Sequence, residues 1–148
     1  MTETKDRRIY SIDDAFFDMI DSQNKAYILG LLYADGCNYE DAGIIKLDLV
    51  TEDEDVLIKI KSIMKYTGNI NHYHDKYKEI NGKIYECKPY SRLCIRSKQL
   101  SEQLANKGCT NNKTYTLTFP KKEIVSDTLI KDFIRGYMDG DGGIFLLD

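Results

Sequence analysis

Apolar residues recur along the chain in two rhythms, every second position and every third or fourth, and the switches between them mark the elements. Residues 1–24 are mostly polar and read as an N-terminal extension, in which "SIDDAFFDMI" predicts one short helix capped by Ser11 or Asp13. "NKAYILGLLYAD" (24–35) is apolar almost throughout and predicts a buried helix that Gly36 stops. "AGIIKLDLV" (42–50) is rich in apolar and β-branched residues and predicts a strand. Thr51 and Glu54 carry the T-x-x-E signature of a capping box. Val56, Leu57, Ile60, Ile63 and Met64 then form a helical stripe, with Gly68 just past its end as a C-cap. "NINHYHDKYKEI" and "KIYECKPYSRLCIR" flank Asn81-Gly82, the strongest short hairpin signal, because both turn positions need positive φ. "SKQLSEQLANKG" predicts a short helix: Ser97 caps it, Leu100 and Leu104 face inward, and Gly108 ends it. "KTYTLTF" (113–119) alternates like a strand until Pro120, and from about Ser126 "SDTLIKDFIRGYMDGDG" predicts a second long helix. The order helix, strand, helix, long hairpin, helix, strand, helix predicts an α+β fold with an antiparallel sheet.

The two long helices share a pattern. Ala26, Gly30 and Ala34 recur every fourth residue on the first, as Gly136 and Gly140 do on the last. Small residues at that spacing leave a groove, so two such faces can bring their backbones together. Packed along these stripes, the helices would end side by side, with Asp35 next to Asp141. A carboxylate at a helix C-terminus opposes the macrodipole by roughly 0.3–1 kcal/mol, and two held together repel each other. One Asp-Gly is usually a helix end with a turn. The same broken rule on two matched helices points to a functional site, and a divalent cation with hard oxygen ligands, Mg²⁺ foremost, is the component that would offset it. A calcium loop starting at Asp139 fails, because Ile144 stands where Gly is required and no Glu follows at the twelfth position.

The charge distribution changes the picture more than the total. The net charge of the 148 residues is −3, yet residues 59–122 hold 14 of the 21 Lys and Arg and only 4 of the 24 Asp and Glu. Such a segment can collect phosphates, although a solvated basic face has the same composition. No apolar run reaches the roughly 18 residues of a membrane span, and the polar start "MTETKDRRIYSIDD" is no secretory signal. We therefore expect no membrane partner, no secretion, and a cytoplasmic, nucleoid or organelle-matrix location. Cys37, Cys87, Cys94 and Cys109 form no C-x-x-C pair and read as reduced thiols. His72 and His74 with Cys87 or Cys94 match no standard zinc finger and read as alternating strand residues.

"ILGLLYADG" (28–36) and "IRGYMDGDG" (134–142) resemble the two motif copies of the LAGLIDADG homing endonucleases, and "RLCIRSKQLSEQLANKGCTNNKTYTLTFP" is similar to that family's run into its second motif. The likeness covers nearly all of residues 25–148. It implies αββαββα repeats with an antiparallel, saddle-shaped sheet over duplex DNA and with the motif helices at the repeat interface. The first repeat would span 25–125, and 126–148 would hold the second motif helix and the start of an incomplete second repeat, as in a fragment. The resemblance assigns Asp35 and Asp141 as the catalytic, metal-binding acids, Mg²⁺ or another divalent cation as cofactor, and Lys113 as the assisting lysine. The first acid position of the motif is Asp139 in the second copy but Tyr33 in the first. No splice-junction residues flank the segment, which favours a free-standing enzyme over an intein-embedded one, and a monomer at full length. Sequence readout would come from the hairpin sheet in the major groove. There Lys88, Tyr90, Arg92, Cys94 and Arg96 alternate onto one face, and Lys46 alternates with Ile45 and Leu47. Lys46, Lys88, Arg92 and Arg96 are thus the candidate DNA contacts. The expected function is site-specific, metal-dependent double-strand DNA cleavage. The rivals are a non-cutting DNA-binding regulator, an RNA maturase on the same fold, and an inert remnant.

Overall fold

The computed structural model describes residues 9–74, 77–111 and 117–141, the last of these through its backbone. Helix α1 (Gln23–Asp35) begins where the Ser22 hydroxyl accepts the Lys25 N–H at 3.2 Å. It runs without a loop into β1 (Gly36–Tyr39), which turns back through Glu40–Gly43 into β2 (Ile44–Val50). A 3₁₀ turn (Thr51–Asp53) leads to α2 (Glu54–Ile63). Next come β3 (Asn71–Tyr73), β4 (Tyr77–Ile80), β5 (Lys83–Glu86) and β6 (Tyr90–Arg96), then α3 (Lys98–Asn106) and α4 (Ile130–Asp141). The chain is thus mixed α+β, with an antiparallel four-stranded sheet in the order β1-β2-β6-β3 and a separate β4-β5 ribbon. No helix among the described residues is long and apolar enough to cross a membrane.

Alternation decides which face of the sheet is covered. Ile45 and Leu47 on β2 and Leu93 and Ile95 on β6 point inward and are nearly inaccessible. They meet Ile28 and Leu32 of α1, Ile60 of α2, Met64 and Phe17 around one small interior gap. Burying each such side chain contributes about 1.5–3 kcal/mol, so this layer is the main source of stability. A polar node sits within it. The Asn38 amide of β1 donates to the Ser101 carbonyl (3.0 Å) and the Cys109 carbonyl (2.8 Å), and its oxygen accepts from the Ser101 hydroxyl. Both of its N–H donors and its oxygen are engaged, as burial demands.

Several expectations need correction. "SIDDAFFDMI" is a chain of turns, closed by Phe16 N–H to the Asp13 carbonyl and Asp18 N–H to the Ala15 carbonyl, and not a helix. Asp13 caps a single turn there, accepting the Ala15 N–H at 3.2 Å. The stretch is too short to repay helix nucleation, and adjacent Phe16 and Phe17 both reach the core. Residues 9–22 therefore belong to the folded body, strapped to the end of α2 by Asp13 N–H to the Met64 carbonyl and Ser11 N–H to the Thr67 hydroxyl. The Thr51–Glu54 capping box does not form. Thr51 Oγ1 and the Glu54 carboxylate both bond the Ser91 hydroxyl of β6, and Glu54 also pairs with His72. Gly68 does not cap α2: Lys65, at φ 56°, takes the left-handed position, with Tyr66 N–H on the Lys61 carbonyl and Lys65 N–H on the Ser62 carbonyl in Schellman fashion.

The hairpin turn stands as expected, with Asn81 at φ 52° and Gly82 at φ 79°. Its arms are each split in two, however. Pro89 has no N–H for the ladder, so β5 and β6 separate beside it. Strand β1 and its turn, with Gly43 at φ +64°, were not anticipated, since "GCNY" is too short to show a period. Ser97 caps α3 through the Leu100 N–H, and Gly108 follows its end at φ +99°. The strand expected over 113–119 lies partly outside the described residues, and 117–119 are not in a strand. The last helix begins at Ile130, after a turn at Ser126–Leu129. No disulfide joins the four cysteines.

Replacing Asn38 by alanine would take this partner from the Cys109 carbonyl and the Ser101 hydroxyl in the core. At about 1–3 kcal/mol for each buried unsatisfied group, we expect a loss of about 2–4 kcal/mol. Urea unfolding of the Asn38→Ala variant measures it, and an unchanged midpoint would contradict the node.

Candidate functional site

Helix α1 packs more extensively on α4 than on any other element. The reason lies in three glycines. A Cβ on Gly30 would overlap the Phe133 carbonyl oxygen and come within 2.8 Å of the Tyr137 nitrogen. A Cβ on Gly136 would overlap the Tyr27 carbonyl oxygen and come within 3.1 Å of the Leu31 nitrogen. These two sets of contacts are reciprocal, because Tyr27, Gly30 and Leu31 have the same spacing as Phe133, Gly136 and Tyr137. The two helices are therefore related by a local two-fold axis passing between the glycines. Further along, a Cβ on Gly140 would lie 2.8 Å from that of Ala34. The helices consequently run parallel, and their last residues, Asp35 and Asp141, stand at the same end of the pair. Ala26, the other small residue of the stripe, is fully buried.

Matched positions carry different chemistry around this axis. The Tyr27 hydroxyl donates to Asp139 Oδ2 at 2.7 Å, across the helix pair. The equivalent place on the other side holds Tyr33 against Phe133, edge to face, with ring centres 4.9 Å apart. Arg135 lies over the Tyr27 ring, 4.5 Å from its centroid. Burial, and then the bond and charge of Asp139, push the Tyr27 hydroxyl up to about 12. Burial, with a smaller push from Cys109, likewise raises Tyr33 to about 12, and its hydroxyl donates to the Lys107 carbonyl. The matched positions 33 and 139 thus differ in role: Asp139 holds α1 to α4, while Tyr33 closes the core.

The acidic end has a defined electrostatic character. Two parallel helices present their C-terminal ends together, each equivalent to about half a negative charge. Asp35, exposed at the end of α1, adds a carboxylate to that field, and Asp141 is the last residue of α4. The donors are hard oxygens, and negative charge is concentrated without a basic side chain in the last turn of either helix. Carboxylate oxygens are hard donors of the kind Mg²⁺ or a similar divalent cation takes, and Asp35 and Asp141 are the residues that would hold it. Lys113 lies outside the described residues.

Because α1 passes directly into β1, Asp35 sits where the helix pair meets the sheet. The outward face of that sheet, opposite the core, carries the expected basic residues. Lys46 stands across from Cys94 and Cys37, with its ammonium 5.3 Å from the Tyr39 ring centroid. Arg92 lies opposite Asp48 and Asn71, and Arg96 opposite Ile44 at the exposed end of β6. Lys88 is exposed in the β5–β6 connection and belongs to no strand. Among the described residues neither Lys46 nor Arg96 has a carboxylate partner, whereas Arg92 is bound to Asp48 by two bonds of 2.7 and 2.9 Å. That bond raises the guanidinium pKa further above its usual value. The sequence reading missed Asp48 and Tyr73, although both follow the outward alternation of their strands. A cleft of about 390 Å³ opens beside Cys94 and Arg96, lined by Tyr10, Tyr66, Asn69 and Asn71 among others. On the far side, Ile134 and Met138 of α4 occupy the places that Ile28 and Leu32 hold in α1. The α1 pair is buried under the sheet, but Met138 is 40 % exposed on a groove shared with Phe119 and Tyr137.

Two measurements check this geometry. A Gly30→Ala change gains about 1 kcal/mol of helix preference. Overpacking against backbone belongs at the upper end of about 1–3 kcal/mol, so urea unfolding should show a net loss of about 1–2 kcal/mol, and a gain would refute the close approach. Tyr27 keeps its proton to about 12 when folded, against 10.0 for an ordinary tyrosine. The folded state then binds the proton more tightly, so stability is full below pH 10 and falls as pH rises through 12. Ultraviolet titration should show one late tyrosine fewer in Tyr27→Phe, and a shallower alkaline fall in stability. Comparison of the chain with protein-family models, curated proteins and solved structures yields no match.

Proposed function

We propose that the chain is a LAGLIDADG-type unit whose paired helix ends cut both strands of a DNA duplex laid across the outward face of the sheet. The observation that supports this reading most is the reciprocal glycine contact of α1 and α4, which sets the two terminal acids at one end of a parallel pair. Close parallel packing places like dipole ends together, and each helix then ends in an acid. A merely structural helix pair has no use for that arrangement. In this reading the repeats are αββαββα units. The apolar face of α4 at Ile134 and Met138 fits a second sheet of the kind that covers Ile28 and Leu32.

Hydrolysis of a phosphodiester requires an oriented water, relief of charge on the phosphate, and a stabilised leaving oxygen. Asp35 and Asp141 would hold divalent metal, which when bound lowers the pKa of a coordinated water and neutralises developing charge. The chain's own part is positioning. Gly30, Gly136 and Gly140 fix the distance between the helices, and the Tyr27–Asp139 bond fixes their rotation. One acid on each helix gives one for each strand. Lys46 and Arg96, without carboxylate partners among the described residues, suit backbone phosphates, which fix register on a duplex.

Incubation with a library of duplex sites and Mg²⁺ tests the proposal. We expect cleavage at a restricted set of sites, lost by at least 100-fold in Asp35→Asn and in Asp141→Asn, with duplex binding retained in both. Protection of a site without cutting would favour the non-cutting DNA-binding role. Preference for folded RNA over duplex would favour the maturase role.

A further inference from the structure

At the centre of the outward face lies a side-chain cluster that backbone binding does not explain. Arg92 of β6 uses its Nε and one Nη2 hydrogen on the two carboxylate oxygens of Asp48, its direct cross-strand neighbour. Its guanidinium carbon sits 4.9 Å from the Tyr73 ring centroid and 5.8 Å from that of Tyr90. Those rings are also cross-strand partners, stacked 5.2 Å apart and inclined by 19°. The arginine is therefore fixed in plane by aromatic faces and in rotation by a bidentate carboxylate.

An arginine carries five N–H donors. With Nε and one Nη2 hydrogen taken, the end of the fork, Nη1–H beside the second Nη2–H, has no partner among the described residues. That end offers two parallel donors. Phosphate and the O6/N7 edge of guanine can both accept such a pair. Charge separates them. Asp48 cancels most of the attraction of Arg92 for an anion and would repel a phosphate oxygen beside it. A base edge is uncharged, so it loses little from the neighbouring carboxylate and gains from donors already held in place. Lys46 and Arg96, on the same face without carboxylate partners among the described residues, have the opposite character. The side chain of Arg92 is 23 % exposed, so it is held yet still reachable.

We propose that Arg92 reads one guanine in the major groove of the bound duplex, and that Asp48 is the positioning residue that turns Arg92 from a phosphate binder into a base reader. This rests on the DNA-binding reading above and assigns part of its sequence specificity.

The test is selection of the full chain on a randomised duplex library without divalent metal, so that only binding is read, followed by affinities for the selected site and its single-base variants. The wild type should enrich guanine at one position and prefer it there by about tenfold or more, the range of a good bidentate pair. Arg92→Lys keeps the positive charge and should lose that preference while the preferences at other positions remain. Asp48→Ala should also lose it while overall duplex affinity holds or rises. Its plot of log affinity against log salt should steepen by about one unit, because the released arginine now binds phosphate. A purely structural ion pair would not produce that combination of lower specificity and stronger salt dependence. Circular dichroism confirms that each variant is folded, and an Arg92→Lys variant that keeps the guanine preference overturns the inference. A salt slope in Asp48→Ala equal to that of the wild type overturns the role given to Asp48. Duplex binding with no Arg92-dependent guanine sinks this inference alone, whereas no duplex binding by the wild type sinks the DNA reading with it.

Discussion

The contact of Gly30 with the backbone at Phe133, and of Gly136 with the backbone at Tyr27, is the constraint on which the rest of the molecule depends. Helices with ordinary side chains at their contact sit about 8–10 Å apart. Here each helix gives up its side chain where the other passes, so the backbones meet. This costs helix preference at both glycines and is offset by dense packing on either side, where Tyr33 and Phe133 close against each other. It also makes the pair nearly symmetric, so that what α1 does at its end, α4 does beside it.

That symmetry has an electrostatic consequence. Parallel helices add their dipole ends where antiparallel ones would cancel them. The acid at each end makes the sum worse, and the Tyr27–Asp139 bond keeps the helices from rotating to relieve it. Such an arrangement is tolerable when a cation shares the site. The sheet face follows the reverse principle. It carries cations, and the one at its centre, Arg92, has a carboxylate partner in Asp48. The molecule thus separates the end where two helices finish in acids from a face on which charge is partly neutralised and ordered by tyrosines.

Local chemistry was legible wherever one residue type decides it. Ser97 at the start of α3 satisfies the Leu100 N–H, and Asn81-Gly82 adopts two positive φ angles because few other pairs do so cheaply. The glycine stripes likewise announced a close approach, since a gap in side-chain volume every four residues has few other uses. Reading failed where distant partners compete for a local signal. Thr51 and Glu54 have the letters of a capping box, but Ser91 and His72, brought alongside by the sheet, take both side chains. Gly68 looked like a helix stop, yet Lys65 occupied the left-handed position three residues earlier. The turns at 13–18 mimic a helix in their pattern because two phenylalanines anchor them to a core that the pattern cannot see.

The sequence by itself determined which segments are helix and which are strand over most of the chain, the place of the hairpin turn, and the inward and outward faces of β2 and β6. These follow from side-chain volume, branching and backbone freedom, properties each residue carries wherever it lies. Only the tertiary structure decided that Tyr27 holds Asp139, that Tyr33 turns inward to the Lys107 carbonyl, and that Asp48 rather than solvent faces Arg92. Each of those depends on which of many compatible partners is brought within about 3 Å, and that is fixed by how all the apolar faces are buried at once.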